Sequence, residues 1–210
     1  MKSTAEFADA RRPYRQTARA AAAEANATRI LAAFRERLER LWFDEIRLED
    51  VAQDAGVTVQ TVIRRFGGKD GLLDAVVDVI ASEILAIRHT TPGDPRRAVR
   101  AVIEDYEVSG DLVMRVLAQE ERYPALKRIT AVGRREHRDW AAVAFAPWLD
   151  PLPAEPARRR LDALVVATDL YVWQLIRRDM GRPVEELQAL MDRLVDAALS
   201  DQPHLNPDRP

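Results

Sequence analysis

The feature that most constrains this chain is its spacing of apolar residues. They recur at three- and four-residue steps almost throughout, and no stretch alternates with a period of two over a useful length. Alanine, leucine and arginine dominate, and only 8 of the 210 residues are glycine, a composition suited to helix rather than strand. The pattern predicts an all-α fold, and breakers divide it into about nine helices. The first covers residues 25–41, with Ile30, Phe34, Leu38 and Leu41 on one face. The second and third are short, over 48–55 and 58–66, and the fourth runs from 69 to 87. Thr91-Pro92-Gly93-Asp94-Pro95 is the clearest linker, with Asp94 placed to cap and Pro95 to open the fifth helix. Ser109-Gly110 is expected to end that helix and Asp111 to open a short sixth. Tyr123-Pro124 begins the seventh, the proline-dense stretch 151–156 forms a loop, and the eighth continues unbroken to Met180, capped by Gly181. Pro183 opens the ninth, which ends near Ser200. A flexible basic arm over residues 1–24 and a disordered tail over 201–210, rich in proline, complete the division.

The informative stretch is LEDVAQDAGVTVQTVIRRFGGKDGLL, residues 48–73. Two short helices meeting at a tight turn need a small residue where they cross and a glycine free to take positive φ. Ala52 and Gly56 supply these, and Thr58 stands where its hydroxyl can cap the third helix. Turning that helix by about 100° per residue puts Val59, Val62 and Phe66 inside. Arg64 points most directly away, with Gln60 and Thr61 beside it and Arg65 toward the edge. Guanidinium and amide groups on an exposed helix face match the edges of purine bases. Lys69, at the start of the fourth helix, adds an ammonium to a helix N-terminus, a combination that favours phosphate.

The ordered run A-x-x-A-G-V-T-x-x-T-V-x-x-x-F-x-x-K-x-x-L, from Ala52 to Leu72, resembles the helix-turn-helix of TetR (tetracycline-repressor-like) regulators, over about residues 28–75. The chain departs from the family at three places: Ile63 stands where a tyrosine is common, Arg47 where a polar cap is common, and Trp42 near a usual glycine. The resemblance implies a three-helix DNA-binding head over 25–68 and a six-helix domain over 69–200 that binds a ligand and dimerises. It implies a transcriptional regulator, more commonly a repressor, released from an inverted-repeat operator in double-stranded DNA by a small-molecule effector not named by the sequence. Gln60, Thr61 and Arg64 then serve as candidates for base edges, and Thr58, Arg65 and Lys69 for phosphates. Arg11, Arg12, Arg15 and Arg19 are either a solvated arm or basic groups that track phosphates or enter a minor groove.

In the second half, the eighth helix is apolar on two faces, one of them carrying Val166, Leu170 and Trp173. The ninth offers Leu187, Leu190, Met191 and Leu194, more than one core readily uses. Two copies of each helix would form a four-helix homodimer interface. The effector cavity that the resemblance implies draws its candidates from Tyr106, Met114, Trp140, Trp148, Asp169 and Tyr171, although such aromatics also serve as ordinary core. Asp169 could orient a polar or cationic ligand group, or pair with a neighbouring arginine.

Composition excludes other classes. There is no cysteine for disulfides or thiolate metal sites, and no apolar run long enough to span a membrane. The three histidines, His89, His137 and His204, are far apart, and Glu136, His137 and Asp139 would need ligands from another helix to hold a metal. Neither a glycine-rich phosphate cradle nor a nucleophile motif is present, so the chain is read as a cytoplasmic protein that needs no cofactor and is not an enzyme. The net charge of −2 does not argue against nucleic acid when the basic groups are locally concentrated. The alternative is an all-helical ligand-binding or carrier protein whose helix-turn-helix serves protein contact.

Overall fold

A computed structural model defines the backbone of residues 6–200 and the side chains of residues 19–200. Among these residues there is no strand, and no helix is long and apolar enough to cross a membrane. The chain divides between Ile80 and Ala81 into two compact units.

The first unit begins with α1 (Glu6–Leu38), much longer than the helix expected from residue 25. Residues 6–24 of the expected flexible arm are helical backbone instead, and Ala20–Ala23 and Ala25, strong helix formers, explain why the helix does not start later. The side chains of Arg11, Arg12 and Arg15, and the tail 201–210, lie outside the described residues; Arg19 is exposed. Ile30, Phe34 and Leu38 of α1 are buried, as their spacing predicts. A 3₁₀ turn (Phe43–Glu45) leads to α2 (Leu48–Asp54) and α3 (Val59–Phe66), and then α4 (Lys69–Ile87) begins. Phe43, Ile46, Val51, Ala52, Val62, Leu72, Leu73 and Val76 are also buried in this unit.

The second unit is built from α5 (Pro95–Leu117), α6 (Pro124–Ala144), α7 (Ala146–Leu149), α8 (Ala154–Ala167), α9 (Leu170–Trp173), a π-helical turn (Gln174–Asp179) and α10 (Val184–Leu199). The stretch 151–156 is loop only as far as Pro153, since α8 begins at Ala154 and takes Pro156 into its first turn, where proline is tolerated. Two further expected boundaries are overturned. First, α5 runs straight through Ser109-Gly110. A Cβ on Gly110 would stand 2.7 Å from the ring of Trp173, so this glycine makes room for an indole rather than ending a helix. The Ser109 hydroxyl donates to Asp105 Oδ1 at 2.7 Å.

Second, the expected eighth helix breaks at Thr168-Asp169. The Thr168 hydroxyl donates back to Leu164 O (2.8 Å), and its carbonyl accepts from the buried Tyr106 hydroxyl (3.0 Å) instead of continuing the helix. Asp169 then caps the next turn by accepting from Tyr171 N at 2.8 Å. In the π-helical turn the consecutive residues Arg177 and Arg178 both reach α5, making bidentate pairs to Glu107 (2.8 Å) and Asp111 (2.8 and 2.9 Å). Hydrogen bonds from Arg177, and then from Trp173 Nε1, hold the Glu107 carboxyl below its usual pKa.

Candidate nucleic-acid interface

The turn between α2 and α3 is local chemistry. Gly56 sits at φ +65°, a region that suits glycine, and Val57 N donates to Ala52 O at 2.9 Å. Thr58 leaves the helical region and its hydroxyl accepts from Thr61 N (3.2 Å), satisfying one of the free donors at the start of α3. The two hydroxyls of Thr58 and Thr61 are also hydrogen-bonded, at 2.9 Å. At the other end Gly67, at φ +78°, stops the helix with its N–H on Ile63 O. Two arginines of α1 brace the motif. Arg29 Nε donates to Ala55 O at 3.1 Å, and Arg37 pairs with Asp54 (2.6 Å) and Asp50 (3.5 Å) of α2. The sequence reading missed both, because an arginine on a helix does not announce a partner 26 or 17 residues away. Arg47, at the cap position of α2, makes no side-chain cap, as its departure from the family pattern suggests.

α3 is oriented as its wheel predicts. Val62 is fully buried, Val59 and Phe66 are half-buried, and Gln60, Ile63, Arg64 and Arg65 are exposed. Gln60 and Arg64 have no side-chain partner among the described residues. Arg65 does have one: its Nη2 meets Glu24 Oε1 of α1 at 2.7 Å. A cleft of about 280 Å³ lies between α1 and α3, lined by Ala23, Asn26, Ala27, Ile30, Thr61, Arg64 and Arg65. Lys69 is half-buried, with its ammonium 4.4 Å from the centre of the Phe43 ring. Burial lowers its pKa, opposed by the charges of Asp44 and Asp70.

Of the cavity candidates, the structure brings Tyr106 and Trp140 together around Arg88, the first residue after α4. Met114 and Trp148 are half-buried against the core, Tyr171 is exposed, and Asp169 is the helix cap already described. The dimer candidates divide. Leu170, Trp173, Leu187 and Met191 are buried in their own chain, 7% exposed for the first and 0% for the others, so they have little or no surface to give a partner. The correction follows from packing: α10 lies against α5 and α8, and Trp173 lies on Gly110, which consumes the apolar surplus read from the sequence. Val166, at 66%, and Leu194, at 38%, remain open, and Leu190 is half-buried. Of Glu136, His137 and Asp139, His137 turns inward, its Nδ1 3.0 Å from Arg88 Nη1.

Residues 30–76 match the family described as "Bacterial regulatory proteins, tetR family". The HTH-type transcriptional regulator BetI of Burkholderia thailandensis is 32% identical over 129 residues, covering 56% of this chain and 66% of that protein. BetI of Burkholderia cenocepacia matches with the same identity and coverage, so the chain spans just under two thirds of these relatives. A crystal structure of a transcriptional regulator from Rhodococcus sp. Rha1 superposes with a TM-score of 0.64 at 21% identity, over 82% of this chain and 95% of that one, a likeness of fold. The helix-turn-helix and its continuation into α4, residues 30–76, thus belong to the TetR family of bacterial regulatory proteins.

Proposed function

We propose that the protein is a cytoplasmic, DNA-binding transcriptional repressor that reads an inverted-repeat operator as a homodimer and is released by a small-molecule effector. The observation that carries this reading is the outward face of α3, where Gln60 and Arg64 stand exposed, with no side-chain partner among the described residues, on a helix fixed at both ends. Side chains with spare donors on a rigid helix are what base edges in a major groove require. Gln60, Thr61 and Arg64 meet bases in this reading. Thr58, Arg65 and Lys69 meet phosphates, with Arg65 exchanging Glu24 for a phosphate and Lys69 leaving the Phe43 ring. Dimerisation uses the outward faces of α8 and α10, where Val166 and Leu194 are open and Leu190 is partly so. Light scattering at micromolar concentration should give twice the chain mass.

The test of DNA binding is a gel shift with DNA from upstream of the protein's own gene. Arg64→Ala should cost roughly 1–3 kcal/mol and relax preference at one base position. Lys69→Ala should weaken all sequences alike and reduce the salt slope by about one ion. If Arg64→Ala leaves preference unchanged, the outward face of α3 is not the reader. If no DNA is bound at all, the carrier-protein reading gains.

A further inference from the structure

The second unit buries a cation among aromatic rings. The guanidinium carbon of Arg88 is 5.0 Å from the centre of the Tyr106 ring and 5.4 Å from that of Trp140. Its Nε donates to Asp105 Oδ2 at 2.6 Å, and its Nη1 lies 3.0 Å from His137 Nδ1. Arginine only donates, so Nδ1 accepts and the ring proton sits on Nε2, facing Val165 O and the Thr168 hydroxyl, both at 3.3 Å. The Trp140 ring is stacked on His137 at 5.5 Å, and its Nε1 donates to the Arg88 carbonyl at 3.1 Å. Asp105 is 1% exposed, with its other oxygen held by Ser109. Three elements, α5, α6 and the end of α8, thus build a box with two aromatic faces, one buried carboxylate and one neutral acceptor.

We propose that this box is a guanidinium-binding site that the chain fills with its own Arg88, and that the effector is a small guanidino or amidino cation that takes Arg88's place. The inference rests on reading the second unit as the effector-binding one. The chemistry selects the class. With Arg88 displaced, Asp105 would be a buried carboxylate without a counter-ion, so the incoming group must be cationic. Asp105 Oδ2 and His137 Nδ1 need N–H donors on one rigid fork, which guanidinium supplies and a tetraalkylammonium lacks. Tyr106 and Trp140 favour a delocalised cation on their ring faces. Because Arg88 directly follows α4, which begins at Lys69 just after α3, exchange of Arg88 for a free ligand detaches the end of that helix from the box. A ligand with this differential affinity shifts the population away from the form that holds α4.

The test uses the full chain and three probes at matched ionic strength: ethylguanidinium, its neutral analogue N-ethylurea, and tetramethylammonium. Arg88→Ala should unfold at a lower temperature than the wild type and be restored, saturably, by ethylguanidinium alone. The wild type should bind ethylguanidinium more weakly than Arg88→Ala by about tenfold or more, because its tethered guanidinium competes. Trp140→Leu in the Arg88→Ala background should reduce the rescue. If Arg88→Ala does not fold unaided, recovery of its helical circular dichroism with ethylguanidinium and not with ethylurea supports the site. Equal response to ethylurea, or no response to any probe, overturns it. Ethylguanidinium should also lower the operator affinity of the wild type while ethylurea does not. If it binds yet leaves that affinity unchanged, the effector role is overturned and the DNA-binding reading stands. If the wild type binds no DNA, that reading fails while the thermal measurements still decide the site.

Discussion

In the first unit Gln60 and Arg64 point outward and meet no side chain among the described residues, whereas in the second Arg88, Asp105, His137 and Thr168 point inward and each meets a partner. The difference follows from what each place tolerates. An exposed donor is satisfied by water and can exchange water for a base or phosphate at little cost. A buried donor or charge without a partner costs more than the net gain from a typical hydrogen bond, so an interior cluster must be complete. Free polar groups on a fixed helix therefore stay available to a partner. A complete buried cluster marks a place already occupied, here by a residue of the chain itself.

The contrast breaks most sharply with acid. Burial, followed by the charge of Arg88, lowers the His137 pKa to about 4 from an ordinary 6.5. The folded state resists the proton that the unfolded state accepts. Its stability is therefore full above pH 6.5 and falls as pH drops from there toward 4, by roughly 3 kcal/mol in all. The first unit has no histidine, since the three stand at 89, 137 and 204. Urea titrations between pH 7 and 4.5 should find the loss in the fluorescence of Trp140, Trp148 and Trp173, and less of it in that of Trp42. His137→Gln should flatten the dependence above pH 4.5; a slope unchanged by that substitution would mean that other groups titrate. Below that pH Glu107 and Glu120, whose pKa values hydrogen bonds from arginine lower, begin to lose their own contributions.

Glycines sharpen the comparison at the next level. Gly110 serves space: its missing Cβ lets Trp173 lie on α5, and Gly110→Ala should cost roughly 2–3 kcal/mol through overpacking. Gly56 serves conformation: at φ +65° a Cβ meets nothing within 4 Å, so Gly56→Ala should cost only the left-handed strain, about 1 kcal/mol. A double-mutant cycle separates them. Trp173→Leu should remove most of the Gly110→Ala penalty and none of the Gly56→Ala penalty. Equal coupling at both glycines would refute the assignment.

The same distinction explains what could be read in advance. The α2–α3 turn was legible because its determinants, Ala52, Gly56, Thr58 and Val62, act within a few residues of one another, and the exposed set on α3 follows from a wheel. Ser109-Gly110 was misread because the partner that gives Gly110 its meaning, Trp173, is distant in sequence. The break at Thr168 was hidden for a like reason, since the Tyr106 hydroxyl that takes its carbonyl comes from α5. The dimer candidates failed where apolar periodicity alone cannot tell an interior contact from a partner: Leu187 and Met191 share a stripe with Leu190 and Leu194, yet only the latter pair keeps surface. Asp105 did carry a signal. A carboxylate among Val102, Ile103, Tyr106 and Ser109 on the buried side of α5 calls for a buried cation, and that cation is Arg88.

The smallest expected effect compares two helix caps that do the same local work in the two units. Thr58 accepts from Thr61 N at the start of α3, and Asp169 accepts from Tyr171 N at the start of α9. Replacing either by alanine leaves a backbone donor without its side-chain acceptor, a loss of about 1 kcal/mol in each case. The consequences should then part. The Thr58 hydroxyl also bonds that of Thr61, so Thr58→Ala frees a side chain on the helix proposed to face DNA as well as its first turn. Operator affinity should fall for Thr58→Ala and recover in Thr58→Ser, which keeps the hydroxyl. Asp169→Ala, at equal loss of stability by urea titration, should leave operator affinity unchanged in the absence of effector. If both variants weaken DNA binding in proportion to stability, the cap of α3 has no role beyond folding. If only Thr58→Ala does, its hydroxyl sets the geometry of the reading helix.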